Sequence, residues 1–275
     1  MVLDLHNGLM GKVYLVGAGP GDPGLMTIKG KALLENAEAV VYDALVSPAI
    51  LAMVNPQAEL VDAGKRRGRH TKLQQETTAL LEQLARKYAV VVRLKGGDPF
   101  IFGRGGEEME DLVRAGIEVE VVPGITAGIA APAYAHIPLT HRSYSSSVTF
   151  VTGHEAAGKY RPEVNWAAIA RGSETIVIYM GVYSLATILP QLQLAGLPED
   201  TPIALIRWGT CPEQQELVGT FATILAQIEA ENFQAPAIVV IGAVVNYPAN
   251  LRQQLQPMLG NPWFFQVHNL IDQGL

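Results

Sequence analysis

The chain has 275 residues, 49% of them apolar and 17% charged, with a formal net charge of −6. That is enough for one large domain or two of ordinary size, apolar enough for a buried α/β core rather than disorder, and too acidic to suggest nucleic acid as a partner. The lone Cys211 excludes an internal disulfide and gives no metal cluster. The longest apolar runs, such as residues 235–245, fall short of a bilayer span, and residues 1–11 lack the n- and h-regions of a signal peptide, so no membrane and a cytoplasmic location are expected.

In chain order, residues 12–16 (KVYLV) read as a first strand that exits into Gly17-Ala18-Gly19-Pro20-Gly21-Asp22-Pro23-Gly24. Residues 27–37 follow as a helix with Ile28, Leu33, Leu34 and Ala37 on one stripe. Strands are expected at 39–42, ending at Asp43, and more weakly at 59–61. Residues 71–87 form the clearest helix, with Leu73, Thr77, Leu80, Leu81 and Leu84 on one face. A fourth strand at 90–94 leads into a loop unusually rich in glycine, then a helix at 107–115, and a fifth strand at 119–122 runs into Pro123-Gly124-Ile125-Thr126-Ala127. Residues 127–147 loosen into small residues and Pro, a connection between two domains. A second series places strands at 148–152, 175–180, 203–208 and 237–244, with helices at 184–195 and 221–231. The expected division is 12–126, an N-terminal α/β domain; 127–147, the connection; 148–248, a C-terminal α/β domain; and 249–275, a peripheral tail.

Strands alternating with helices imply mostly parallel sheets with right-handed crossovers, and ligands of such sheets gather outside the carboxyl ends of the strands. Five unusual features fall at that end: the loop at 17–24, Asp43, the basic run Lys65-Arg66-Arg67-Gly68-Arg69-His70, the loop at 96–106, and Thr126. Their common placement favours a site over a solvated face for the basic run. For Asp43, spacing alone leaves a helix cap, a loop tie and a proton-transfer group equally open.

Two nucleotide motifs fail on their details. After the first strand, Asp22 stands where a dinucleotide fingerprint needs its third glycine, and Pro20 and Pro23 break the tight strand-to-helix join. Gly153 to Tyr160 has phosphate-loop spacing, but Tyr160 cannot supply the small hydroxyl and Pro162 opposes the helix. His136, His141 and His154 lack metal-ligand spacing, so no metal is expected.

Residues 16–25 (VGAGPGDPGL), 41–43 (VYD), 93–108 (RLKGGDPFIFGRGGEE), 122–127 (VPGITA), 137–142 (IPLTHR) and 179–181 (YMG) resemble the tetrapyrrole methylases. The resemblance extends from about Lys12 to Asn246, and the string 93–108 is its most diagnostic part. It implies two α/β domains with S-adenosylmethionine in the cleft between them, in a homodimer. It also implies that Pro20, Gly96, Gly97, Asp98, Ile101, Thr126, Ala127, Met180 and Gly209 bind the cofactor, that Asp43 accepts a proton and that Lys65 donates one. The implied substrate is uroporphyrinogen III, methylated at C2 and C7 to precorrin-2 on the way to sirohaem or cobalamin.

The residue chemistry agrees with that implication. Glycine turns give a donor access to backbone N–H and C=O groups, and Ile101, Ala127 and Met180 offer apolar surface to its ring. The many carboxylates of the substrate need positive charge, which Arg66 and the rest of the basic run, Arg104, His141 and Arg142 supply in an otherwise acidic chain. Two other readings keep the donor site: a methylase of a later corrin intermediate or of a protein residue, with a different basic rim, and a non-catalytic protein that senses the cofactor.

Overall fold

The computed structural model describes residues 10–64, 74–153 and 164–255. Its first sheet contains β1 (Lys12–Gly17), β2 (Ala39–Tyr42), β3 (Glu59–Asp62), β4 (Val90–Lys95) and β5 (Val119–Val122), in the order β3-β2-β4-β1-β5. Every pairing in it is parallel. The connections carry α1 (Ile28–Asn36), α2 (Pro48–Leu51), α3 (Gln74–Ala85) and α4 (Gly105–Arg114). Side chains alternate across the strands. Val16, Val40, Val92 and Leu94 pack on one face with Leu34 and Ile50 from α1 and α2. Val13, Leu15, Val41 and Val91 pack on the other with Leu81 and Leu84 of α3 and Leu112 of α4. Burial of both faces is why these strands are nearly continuous Val and Leu.

Helix α1 begins where the Thr27 hydroxyl accepts the Gly30 N–H at 3.1 Å, an N-cap that the stripe reading placed within one residue. Its stripe is narrower than the sequence suggests. Leu34 and Ala37 are fully buried, whereas Ile28 is 90% exposed because it occupies the first turn, above the sheet edge that the helix covers.

Residues 127–147 hold a helix, α5 (Ala127–Tyr134), that begins one turn of chain beyond β5 yet packs on the second sheet. Ala131 and Ala135 lie among Val177, Ala204, Ile206 and Val240. Small residues let it sit close to the strands, and they also hid it, since Gly128 and Pro132 carry little helix propensity.

The second sheet contains β6 (Val148–Thr152), β7 (Thr175–Tyr179), β8 (Pro202–Arg207), β9 (Gln215–Thr220) and β10 (Ala237–Ile241), in the order β6-β7-β10-β8-β9. α6 (Trp166–Gly172), α7 (Leu185–Leu194) and α8 (Ile224–Ala230) cover one face, and α9 (Tyr247–Leu255) follows β10. β6 and β7 are parallel, but β10 runs against both β7 and β8, and β9 against β8. The parallel expectation therefore describes the first sheet, while the second is mixed. Residues 208–214 are too few for a crossover helix, so β9 has to fold back beside β8. Among the described residues no helix is long and apolar enough to cross a membrane.

Helix α4 supplies a test of this packing. Leu112 is fully buried beneath it and Val113, one residue on, is 53% exposed. Leu112→Ala should cost about 2–5 kcal/mol of stability, and Val113→Ala about 0.5 kcal/mol or less. Urea titration of the two variants checks this, and equal losses would mean the helix presents another face.

Candidate active site

The first sheet reverses its winding between β1 and β4, the position at which an open α/β sheet leaves a crevice at its carboxyl end. Here the ends of β1, β4 and β5 meet backbone to backbone. A Cβ on Gly17 would lie 2.5 Å from the Gly124 nitrogen and 2.6 Å from the Gly97 oxygen, and one on Gly124 would lie 2.3 Å from that same oxygen. No residue but glycine fits either place. Gly97 adopts a φ of +69°; its N–H donates to the Gly19 oxygen at 2.8 Å, and the Gly19 N–H donates back at 3.1 Å. Asp98 ties the assembly together: one carboxylate oxygen accepts the Phe100 and Ile101 N–H groups at 2.8 and 3.2 Å, and the other accepts the Gly124 N–H at 3.1 Å.

Strand parity then determines what lies beneath this rim. Val91, Arg93 and Lys95 share one face of β4, and register pairs Val41 of β2 with Arg93, so Asp43 continues the same face just past the strand end. Helix α4 covers that face and contributes Glu108, which has no solvent exposure. The four charges form a chain: Lys95 Nζ to Glu108 Oε2 at 2.9 Å, Arg93 Nε to Glu108 Oε1 at 3.2 Å, and Arg93 Nη2 to Asp43 Oδ1 at 2.5 Å. Burial, with the Arg93 guanidinium beside it, pushes the Lys95 ammonium below the usual lysine range, against the opposing pull of Glu108 and Asp43. Only Asp43 has part of its side chain in solvent.

The second sheet closes the other side. Tyr179, the last residue of β7, accepts the Gly128 N–H on its hydroxyl at 2.8 Å and shares a 2.7 Å hydrogen bond with the Thr126 hydroxyl. Its ring lies 4.7 Å from that of Phe102, and burial pushes its phenol above the ordinary range. Thr210, beyond β8, accepts the Asp22 N–H at 3.1 Å, and the Tyr134 hydroxyl donates to the Asp22 carboxylate at 2.5 Å. Desolvation and that bond push the Tyr134 phenol up to about 12. Met180, Trp208 and Thr210 all have positive φ, and strained backbone of this kind collects at functional sites.

The sequence-predicted residues divide accordingly. Pro20, Gly96, Gly97, Asp98 and Thr126 lie on the loops at the ends of β1, β4 and β5, with Ile101 just beyond and Ala127 opening α5. Met180 and Gly209 come to the same rim from β7 and β8, where a Cβ on Gly209 would strike Ala131 of α5 at 2.3 Å. Asp43 stands at the end of β2, held by Arg93. Arg104 precedes α4 in a left-handed conformation, and its guanidinium is forked onto Glu107. His141 and Arg142 are not gathered with the others. They sit at the amino ends of β6 and β7, about a strand length from Met180, where His141 Nδ1 accepts the Ser143 N–H and its ring packs on Tyr144 and Tyr247. Lys65, Arg66 and the rest of the basic run lie outside the described residues, as does His154. Sequence reasoning gave no role to Tyr179, Tyr134 or Glu108, although Tyr179 and Glu108 lie in the motifs 179–181 and 93–108. Glu108 had left a second signal, a carboxylate four residues before Leu112 on the buried stripe of α4.

A family model described as Tetrapyrrole (Corrin/Porphyrin) Methylases matches residues 12–225. The chain belongs to the tetrapyrrole methylases. It is 91% identical over 260 residues, 94% of this chain and 99% of the other, to a uroporphyrinogen-III C-methyltransferase of Synechocystis sp.. A uroporphyrinogen-III C-methyltransferase of Priestia megaterium is 48% identical over 238 residues, 86% of this chain and the whole of that one. Among solved structures, the uroporphyrin-III C-methyl transferase of Thermus thermophilus complexed with S-adenyl homocysteine superposes with a TM-score of 0.73 at 38% identity, covering 86% of this chain and all of that one.

Two substitutions probe the rim. Gly97→Leu should abolish S-adenosylmethionine binding by calorimetry while circular dichroism stays native, because a side chain there demands another backbone conformation; unchanged affinity would remove the loop from the site. Tyr179→Phe strips the Gly128 N–H of its acceptor, so unfolding should show about 1–3 kcal/mol of lost stability, and donor affinity should fall with it.

Proposed function

We propose that this chain transfers methyl groups from S-adenosylmethionine to C2 and C7 of uroporphyrinogen III, giving precorrin-2 on the way to sirohaem or cobalamin. The observation that carries the proposal is a carboxylate, Asp43, held by a buried arginine at the same rim as a glycine-lined cradle, in a chain 91% identical to a protein of that activity.

The cradle fits the donor. Gly96 and Gly97 put no side chain between the loop and its amino-acid end, and Ile101, Phe102 and Met180, which keep 40%, 40% and 51% of their surface exposed, offer apolar contact to its adenine. When bound, S-adenosylmethionine would supply an electrophilic methyl on its sulfonium, and the methylated ring would then have a proton to lose. Asp43 is placed to take that proton, since Arg93 holds its carboxylate at the rim and part of it reaches solvent. Holding donor and acceptor in line lowers the barrier by roughly 7–11 kcal/mol in favourable cases, and the interlocked glycines give the loops the rigidity this needs. Lys65 would return a proton, and Arg66 and Arg104 would meet the substrate carboxylates, whereas His141 and Arg142 stand too far from the rim to join them. The Arg104 charge reaches substrate once Glu107 releases it. The same reading makes the enzyme a cytoplasmic homodimer, and light scattering at twice the chain mass would support the second part.

Incubation with methyl-labelled S-adenosylmethionine and enzymatically made uroporphyrinogen III should yield doubly labelled product. Donor binding without transfer would point to a sensor, and labelling only of a later corrin intermediate to a different methylase. Asp43→Asn should lower kcat by roughly 10²–10⁴-fold, the range for loss of a general base, with donor affinity retained. A normal kcat would return Asp43 to a structural role.

A further inference from the structure

Glu108 has no solvent exposure and holds both buried cations of β4, one on each carboxylate oxygen. A merely structural helix would place an apolar residue there, four positions before Leu112. What Glu108 controls can be read from the guanidinium of Arg93. Its Nε–H donates to Glu108 at 3.2 Å, and its Nη1 donates to the Val41 and Leu94 carbonyls at 3.4 and 3.3 Å. Those bonds fix the planar fork on two sides, so Nη2 can only point along the sheet to Asp43 Oδ1. The Val41 and Leu94 carbonyls are neutral acceptors, so the bond to Glu108, at 3.2 Å, is the charged one that holds the fork on the side away from Asp43.

We propose that Glu108 is a positioning residue, which through Arg93 determines where the Asp43 carboxylate stands in the cleft. This rests on the reading of Asp43 as the proton acceptor. Lys95 completes the device by holding the second oxygen of Glu108, so that the carboxylate cannot swing away from Arg93. With two cations and two carboxylates the chain of charges is neutral.

Removing Glu108 alone would leave two buried cations and could unfold the protein, so the test uses two charge-balanced double variants. Glu108→Gln/Lys95→Met keeps a carbonyl able to accept the Arg93 Nε–H; Glu108→Leu/Lys95→Met does not. Replacing both members of a buried pair by groups of similar volume is commonly tolerated. The expected result is a kcat at least about ten-fold higher in the Gln/Met variant than in the Leu/Met variant, since a displacement of about 1 Å can cost as much as 10²-fold. The KM for uroporphyrinogen III, S-adenosylmethionine affinity and Tm should agree between the two. Equal kcat in both, or a gap in kcat matched by a gap in KM and affinity, would overturn the proposal. Asp43→Asn measured alongside separates the two readings. A normal kcat there overturns the proton-acceptor reading and the proposal with it, whereas a damaged Asp43→Asn with no gap between the doubles overturns the role of Glu108 alone.

Discussion

Backbone contact at Gly17, Gly97 and Gly124 sets the spacing on which the rest of the cleft depends. A strand end normally diverges from its neighbours because side chains of following residues need room. Here three ends stay in contact past the last ladder hydrogen bond, with Gly19 and Gly97 forming one further bridge beyond it. The loops that follow therefore leave the sheet from a common point and fan outward together. Asp98 converts that convergence into rigidity, because one side chain holds N–H groups from two of the three loops. Pre-organisation of this sort is what a methyl transfer requires, since the protein contributes orientation more than chemical groups.

Directly below, the same regular alternation of a β-strand creates an electrostatic problem and its solution. Period two places Arg93 and Lys95 on the face that already holds Val91, so both cations are buried if the helix above is packed normally. Glu108 on α4 and Asp43 on β2 compensate them. A buried ion cluster adds little net stability compared with apolar packing. Its presence under a helix that would pack as well on leucine accords with the geometric role proposed for Glu108.

Much of this was legible in the residues. Val-rich runs at 12–16, 39–42, 90–94 and 119–122 could hardly be anything but buried strands, and the glycine density of 96–106 announced close backbone approach. The losses have physical causes. β9 (QELVGT) is an edge strand buried on one side through Leu217, with Val218 exposed, so it shows neither a run nor a clear alternation. α6 spans only seven residues, shorter than periodicity can register. The direction of β10 is set by its slot between β7 and β8, a tertiary choice that no local pattern encodes. Tyr179 stood in the motif 179–181 with no role of its own; that its hydroxyl would find Thr126 and Gly128 depends on one segment 53 and 51 residues upstream.

Helix α5 starts at the rim of the first sheet and buries its alanines against β7, β8 and β10 of the second. The boundary between the two sheets in the sequence is therefore not a boundary in the packing. A fragment ending before residue 148 would carry a small-residue helix with nothing to lie on, and the complementary fragment would expose Val177, Ala204 and Val240. Splitting, permuting or inserting a tag between the halves consequently has no safe point around α5. The exposed turn at 198–200, between α7 and β8, lies outside that shared surface and is, among the described residues, a place where an insertion should disturb the packing little.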